Sequence, residues 1–210
     1  MHKLKNILKG NIFSKYKKYL CAVMIVLAGI TYAAVQYSNL SFNKSRIGTV
    51  VDQFNGVNVY YNGNIGNVSG RNLIKDGYNL GQKYQCVEFI KRYYYERFNH
   101  KMPDSYGHAK HFFDPAVADG QINPKRNLLQ FHNGSPTKPE VEDIIVLGLS
   151  RHGHVAIISK VNDHEIEIVQ QNPGPNTSSR VTYPISYING LWKIENVRVL
   201  GYLRKANKPL

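Results

Sequence analysis

Apolar and polar positions divide the chain into a short apolar run near the start, a tether, and a longer stretch of alternating segments. Leu20 to Val35 carries no charged residue, and tyrosines flank it at Tyr16, Tyr19, Tyr32 and Tyr37. A bilayer-crossing helix needs about 20 mainly apolar residues, with roughly 17 as the lower limit. Counting Gln36 at the far interface, the pattern predicts a transmembrane anchor over 20–36 behind a basic leader over 1–19. Residues 37–47 are polar and rich in Ser and Asn, and read as a linker. Beyond them, Thr49–Val51 and Val57–Tyr61 alternate as strands around Asn55-Gly56, a favoured tight-turn pair. Three further strands are predicted at Ile144–Leu147, His154–Val161 and Glu165–Val169, and a last one at Val197–Leu203. The stretch up to Gly81 lacks periodicity, and 99–140 is punctuated by prolines and glycines, so both read as loops.

Cys86 to Phe98 has helical spacing. Cys86, Phe89, Ile90 and Tyr93 share one side, and Glu88, Arg92 and Glu96 follow at four-residue intervals as an exposed, ion-paired stripe. Of Tyr93, Tyr94 and Tyr95, consecutive helix positions point different ways, so at least one belongs to the core. The thiol then opens the helix. Free N–H groups and the helix dipole there predict a cysteine pKa below its ordinary value, and the same amides suit an oxyanion.

The next two strand segments are separated by Asn162-Asp163-His164, which predicts an antiparallel hairpin. Centring the turn on Asn162 sets 154 opposite 170, 156 opposite 168 and 158 opposite 166. One face then carries His154, Ala156, Ile158, Ile166, Ile168 and Gln170, and the other carries Glu165 and Glu167. Gln170 is thereby placed to accept the imidazole N–H, with Asn172 taking its place if the register slips by two.

Composition fits an exported, folded domain: 42% hydrophobic and 20% charged residues. The formal net charge is +13, but Lys3, Lys5, Lys9, Lys15, Lys17 and Lys18 all precede the apolar run, with no acidic residue among them. That asymmetry predicts a cytoplasmic N-terminus and an exported remainder. A cleaved signal peptide is the competing reading; the long leader and the lack of a clean Ala-x-Ala site weigh against it. No nucleic-acid-binding motif accompanies the charge. Of two cysteines, Cys21 falls in the apolar run, so Cys86 has no disulfide partner in its own domain. A lone exported thiol followed far downstream by Gly153-His154 at a strand start is the order of a cysteine–histidine hydrolase. A competing metal reading pairs His152 with His154 and adds His108 and His111, but leaves Cys86 without a role.

Gly81-Gln82-Lys83-Tyr84-Gln85-Cys86-Val87-Glu88-Phe89, Asn133-Gly134-Ser135-Pro136, Gly153-His154-Val155-Ala156-Ile157-Ile158 and Gln171-Asn172 together resemble the CHAP family of cysteine-, histidine-dependent amidohydrolases and peptidases. Within it they look like the amidase domain of bifunctional glutathionylspermidine synthetase/amidase. The resemblance extends over 48–205. It implies a papain-like α+β fold, with the cysteine-bearing helix packed on an antiparallel sheet. It also implies Cys86 as nucleophile, His154 as base and Gln170 as its orienting group, with no metal or organic cofactor. Gln85 and Asn172 are the expected substrate-contacting residues. The family usually places an acidic residue where this chain has Gln170; a neutral amide orients the imidazole without giving an imidazolium full charge support. The expected substrate is an amide or isopeptide bond in cell-wall peptidoglycan peptides. A glutathione–polyamine conjugate is the second possibility, and a non-catalytic wall-binding module the third.

Overall fold

Asn55-Gly56 does form the turn its sequence predicts, joining β1 (Val50–Phe54) to β2 (Val57–Tyr60) in a two-stranded antiparallel ribbon. The computed structural model describes residues 16–34, 44–104, 106–148, 151–174 and 177–206. The chain divides into two units, Met1–Lys44 and Ser45–Leu210.

In the first unit, helix α1 (Tyr16–Ala34) is 19 residues long and apolar enough to cross a membrane or to serve as a signal sequence. It begins ahead of Leu20, taking in Lys17, Lys18 and Tyr19. Most of the leader, the end of the predicted span at 35–36 and the linker over 37–43 lie outside the described residues.

The second unit is α+β. A second small ribbon pairs β3 (Arg71–Leu73) with β4 (Asn79–Gln82), and helix α2 (Cys86–Phe98) follows directly. The remaining strands are β5 (Gln121–Asn123), β6 (Leu128–His132), β7 (Ile144–Leu147), β8 (His154–Val161), β9 (Glu165–Val169), β10 (Arg180–Ile188), β11 (Leu191–Ile194) and β12 (Val199–Arg204). They form one antiparallel sheet in the order β11-β10-β9-β8-β7-β12-β6-β5. The three central strands β7, β8 and β9 have the bounds the sequence predicts. Strands β3 to β6 fall inside stretches read as loops, and β10 and β11 were not anticipated. The second of these hairpins turns at Asn189-Gly190, a signal of the same kind as Asn55-Gly56.

The central strands are buried on both faces. Val155 and Ile157 of β8 pack with Ile144, Val146 and Val169 against Phe89, Ile90 and Tyr93 of α2. Ala156 and Ile158 face a second cluster that includes Ile145, Ile168, Ile185, Ile194 and Tyr202. That second face is enclosed because the sheet curls on itself. The far strand β11 returns to the segment after β6, where Gly134 donates to the Trp192 carbonyl at 3.0 Å and Trp192 to that of Ser135 at 2.7 Å. Asn133 bonds both the N–H and the C=O of Ile194. Asn133-Gly134-Ser135 therefore closes the curl.

One expectation for this unit is corrected, and that of a tyrosine in the core is met. Glu88 and Arg92 are ion-paired at 2.6 Å, but the pair is buried, with side chains 1% and 6% exposed. The small ribbons cover that side of α2, and Arg92 lies over the Tyr60 ring. Tyr93 and Tyr94 are both fully buried core residues, their rings packed on Phe98.

The hairpin register is also corrected. Asn162 N–H bonds the Glu165 carbonyl at 3.0 Å, while its side chain accepts from the N–H groups of His164 and Glu165. The turn is thus centred beyond Asn162, and Val161 pairs with Ile166. A bulge at Ser159 then sets Ile158 opposite Ile168 and Ile157 opposite Val169. Near the site the register differs by two from the expected one, which keeps the same residues on the same face.

Candidate functional site

The start of α2 is tightly prescribed. Gln85 stands at the N-cap in extended conformation, with no side-chain cap. Gly81 lies directly against the first helical turn: a Cβ there would come within 3.2 Å of the Glu88 Cα, at a φ of +127° that favours glycine. Cys86 is the first helical residue. Its sulfur is approached by the backbone N–H groups of Val87 and Val155, the latter belonging to the residue after His154. The expected lowering of its pKa is overturned. Burial pushes the thiol up, and those N–H groups offset only part of the cost of burying a thiolate.

His154 opens β8. Gly153 before it has φ +72°, and a Cβ would sit 2.7 Å from both the Leu147 carbonyl oxygen and the Lys110 nitrogen. Only glycine lets the chain enter the strand between those two backbones. His154 Nε2 lies 3.0 Å from Gln170 Oε1, and Gln170 Nε2 donates to the Ser178 carbonyl at 2.9 Å. Because that carbonyl can only accept, the amide oxygen must face the ring, so Nε2 carries the proton and Nδ1 is left as the basic nitrogen. Burial lowers the His154 pKa to about 4, the Gln170 bond opposing it. Gln170 reaches His154 despite the shifted register because the two share a face and a long side chain spans the diagonal. The β8–β9 ladder ends at Val169, and the Gln170 N–H turns to the Ser179 carbonyl.

Asn172 instead donates to Gln85 Oε1 at 2.7 Å and to the Ile65 carbonyl at 2.9 Å. Gln85 Nε2 donates to the carbonyls of Ile65 and Asn67, at 3.2 and 2.8 Å. The structure thus brings Gln85 and Asn172 together as a clasp on the 65–67 loop, with both ends of the Gln85 amide engaged.

Sequence reasoning missed Gln171, which is fully buried. Its Nε2 donates to the Gln85 carbonyl at 3.0 Å and to Glu88 Oε2 at 2.8 Å. Its Oε1 accepts from Tyr60 N–H at 2.8 Å and Arg92 Nη2 at 3.3 Å. Glu88 Oε1 also accepts from Asn72 Nδ2 at 2.8 Å. This buried network pins the segment after β9 to the first turn of α2. Its sequence traces were the Glu88–Arg92 spacing and the Gln171-Asn172 segment.

The histidines of the metal reading separate. His152 lies against His108, ring centres 4.3 Å apart, with His111 5.4 Å from His108, while His154 is held by Gln170. Among the described residues no group of three or more His, Cys, Asp or Glu is placed to hold a metal.

A thiol at a helix N-terminus, beside a strand whose first residue is an amide-anchored imidazole, is the arrangement expected of a cysteine-, histidine-dependent amidohydrolase. Comparison with known proteins agrees: residues 76–172 match the CHAP domain family model. The chain is 34% identical over 108 residues to trypanothione synthetase of Crithidia fasciculata, covering 50% of this chain and 16% of that protein. It is 32% identical over 107 residues to the bifunctional glutathionylspermidine synthetase/amidase of Escherichia coli (strain K12), covering 49% and 17%. The chain therefore spans about a sixth of the length of the curated relatives it matches. These matches support an amidohydrolase.

Proposed function

We propose that the chain is a membrane-anchored, exported cysteine amidohydrolase of papain-like architecture that cleaves amide or isopeptide bonds in cell-wall peptide. The observation that carries this reading is the His154 Nε2–Gln170 Oε1 bond beside a sulfur that accepts from Val155 N–H. It leaves Nδ1 as the nitrogen for the thiol. On the β9 side, residues 154–156 have no strand partner. The Val155 N–H, one residue beyond His154, reaches the sulfur, which supports a reading in which sulfur and imidazole meet around that open end of β8.

At rest the pair is neutral: burial holds the thiol protonated and the imidazole unprotonated. Nδ1 takes the thiol proton as sulfur attacks the carbonyl carbon, and free N–H groups of the first helical turn receive the oxyanion. The tetrahedral intermediate collapses, the C–N bond breaks, and Nδ1–H protonates the departing amine. Water, deprotonated by the same nitrogen, then hydrolyses the thioester and returns the thiol. The neutral Gln170 orients the ring throughout. Helix α1 anchors the enzyme, with the lysine-rich leader on the cytoplasmic side.

A second reading draws on the relative named a glutathionylspermidine synthetase/amidase: hydrolysis of a glutathione–polyamine conjugate. Incubating the full chain with murein peptides and with glutathionylspermidine, followed by mass spectrometry, separates the two. New amines from murein are the expected result. Cleavage of the conjugate alone transfers the enzyme to the second reading, and binding to murein without cleavage of either substrate contradicts both.

A further inference from the structure

A cavity of about 530 Å³ opens beside the proposed catalytic base. His154 and Gln170 form part of its wall, Leu147 and Val181 add apolar surface, and Tyr183 and Arg198 are also among its lining. Among the described residues no acidic side chain lines it. The sheet face explains why these residues converge: Leu147 pairs with His154 across β7 and β8, and Val181 with Ile168 across β10 and β9.

Arg198 stands apart from the other guanidinium groups near the sheet. Arg92 is paired with Glu88, Arg180 with Asp52 and Glu167, and Arg204 with Glu140 and Asp143. Arg198 has no carboxylate partner among the described residues. Its backbone is nevertheless fixed, since its N–H bonds the Asn196 side chain at 2.9 Å and its carbonyl accepts from Gly148 N–H at 2.8 Å. Its charge bears on the Tyr183 phenol, which places the guanidinium toward that wall. An exposed cation with a fixed backbone, lining a cavity shared with the proposed base, is suited to an anionic group of a ligand. A guanidinium fork matches a carboxylate in two parallel hydrogen bonds.

We propose that Arg198 determines specificity by receiving a free carboxylate of the substrate in this cavity, next to the amide that is cut. The inference deepens the amidohydrolase reading and rests on it for the identity of the cavity as a substrate subsite. The Tyr183 hydroxyl is a second donor to the same carboxylate.

The test compares a murein stem peptide carrying a glutamate α-carboxylate with the same peptide bearing a carboxamide there. Calorimetric binding to the full-length Cys86→Ala protein is expected to be about 10- to 100-fold tighter for the carboxylate, the range of one charge-assisted hydrogen bond or a bidentate pair. Adding Arg198→Gln is expected to remove that preference while leaving carboxamide binding unchanged. Equal binding of the two peptides, a preference that survives Arg198→Gln, or no binding of either peptide would overturn the assignment. Carboxylate preference without hydrolysis by the unaltered enzyme would sustain the subsite and remove the amidase reading instead.

Discussion

Replacing Cys86 by alanine is expected to lower amide hydrolysis by about 10³-fold or more, and replacing His154 by alanine to do nearly the same. The double replacement is then expected to cost little beyond either single one. Residues that act as one unit lose the unit's whole contribution when either is removed, so their effects do not add. The reason here is specific. Burial keeps the thiol above its ordinary pKa, so without a base the sulfur stays protonated and weakly nucleophilic. Without the sulfur, the imidazole has no proton to take. Steady-state kinetics of the two single variants and the double one, on the murein peptide or the conjugate, decide this. Additive losses would mean that the two residues act separately.

The second large effect concerns stability. Glu88→Ala is expected to destabilise the fold by about 3–5 kcal/mol, because it strands the buried Arg92 guanidinium without its carboxylate. It also removes an acceptor from Gln171 and one from Asn72. Thermal unfolding of the solubilised full chain should show a fall of roughly 10 °C. Glu88→Gln, which keeps an acceptor oxygen for Arg92 and Asn72 but turns an NH2 toward Gln171 Nε2, should cost less. The network ties Gln85, which precedes Cys86, to Gln171, which follows Gln170. Its loss should therefore also lower activity at temperatures where the protein is still folded. A Glu88→Ala protein as stable as the unaltered chain would show that the pair is exchanged for water without cost.

Local pattern carried the helix and the central hairpin well. Helical spacing from Cys86 to Phe98 and alternation through β7, β8 and β9 are short-range signals, and they are read directly from burial. The pairing of His154 with Gln170 was legible for a related reason. A shift of two residues preserves the face, so an error in register left the chemistry intact. What was not legible depends on distant segments. Nothing near Glu88 and Arg92 announces that β3 and β4 will cover them. The strands within 99–140 are short and flanked by turn residues, and β10 and β11 lack strong alternation beyond the Asn189-Gly190 turn. The direction of the Cys86 shift also reversed, because the sequence shows a helix terminus but not the burial that outweighs it.

The central claim, that the His154 imidazole takes the Cys86 proton, is tested most directly by the pH dependence of Cys86 alkylation with iodoacetamide. His154 is lowered to about 4, so it is neutral and basic above that pH and charged below it. Alkylation assisted by this base should hold nearly level from about pH 5 to pH 8 and fall away as the pH drops through about 4. In His154→Ala the rate should instead climb with pH only as a buried thiol ionises in the alkaline range. Superimposable profiles for the two proteins would contradict the account.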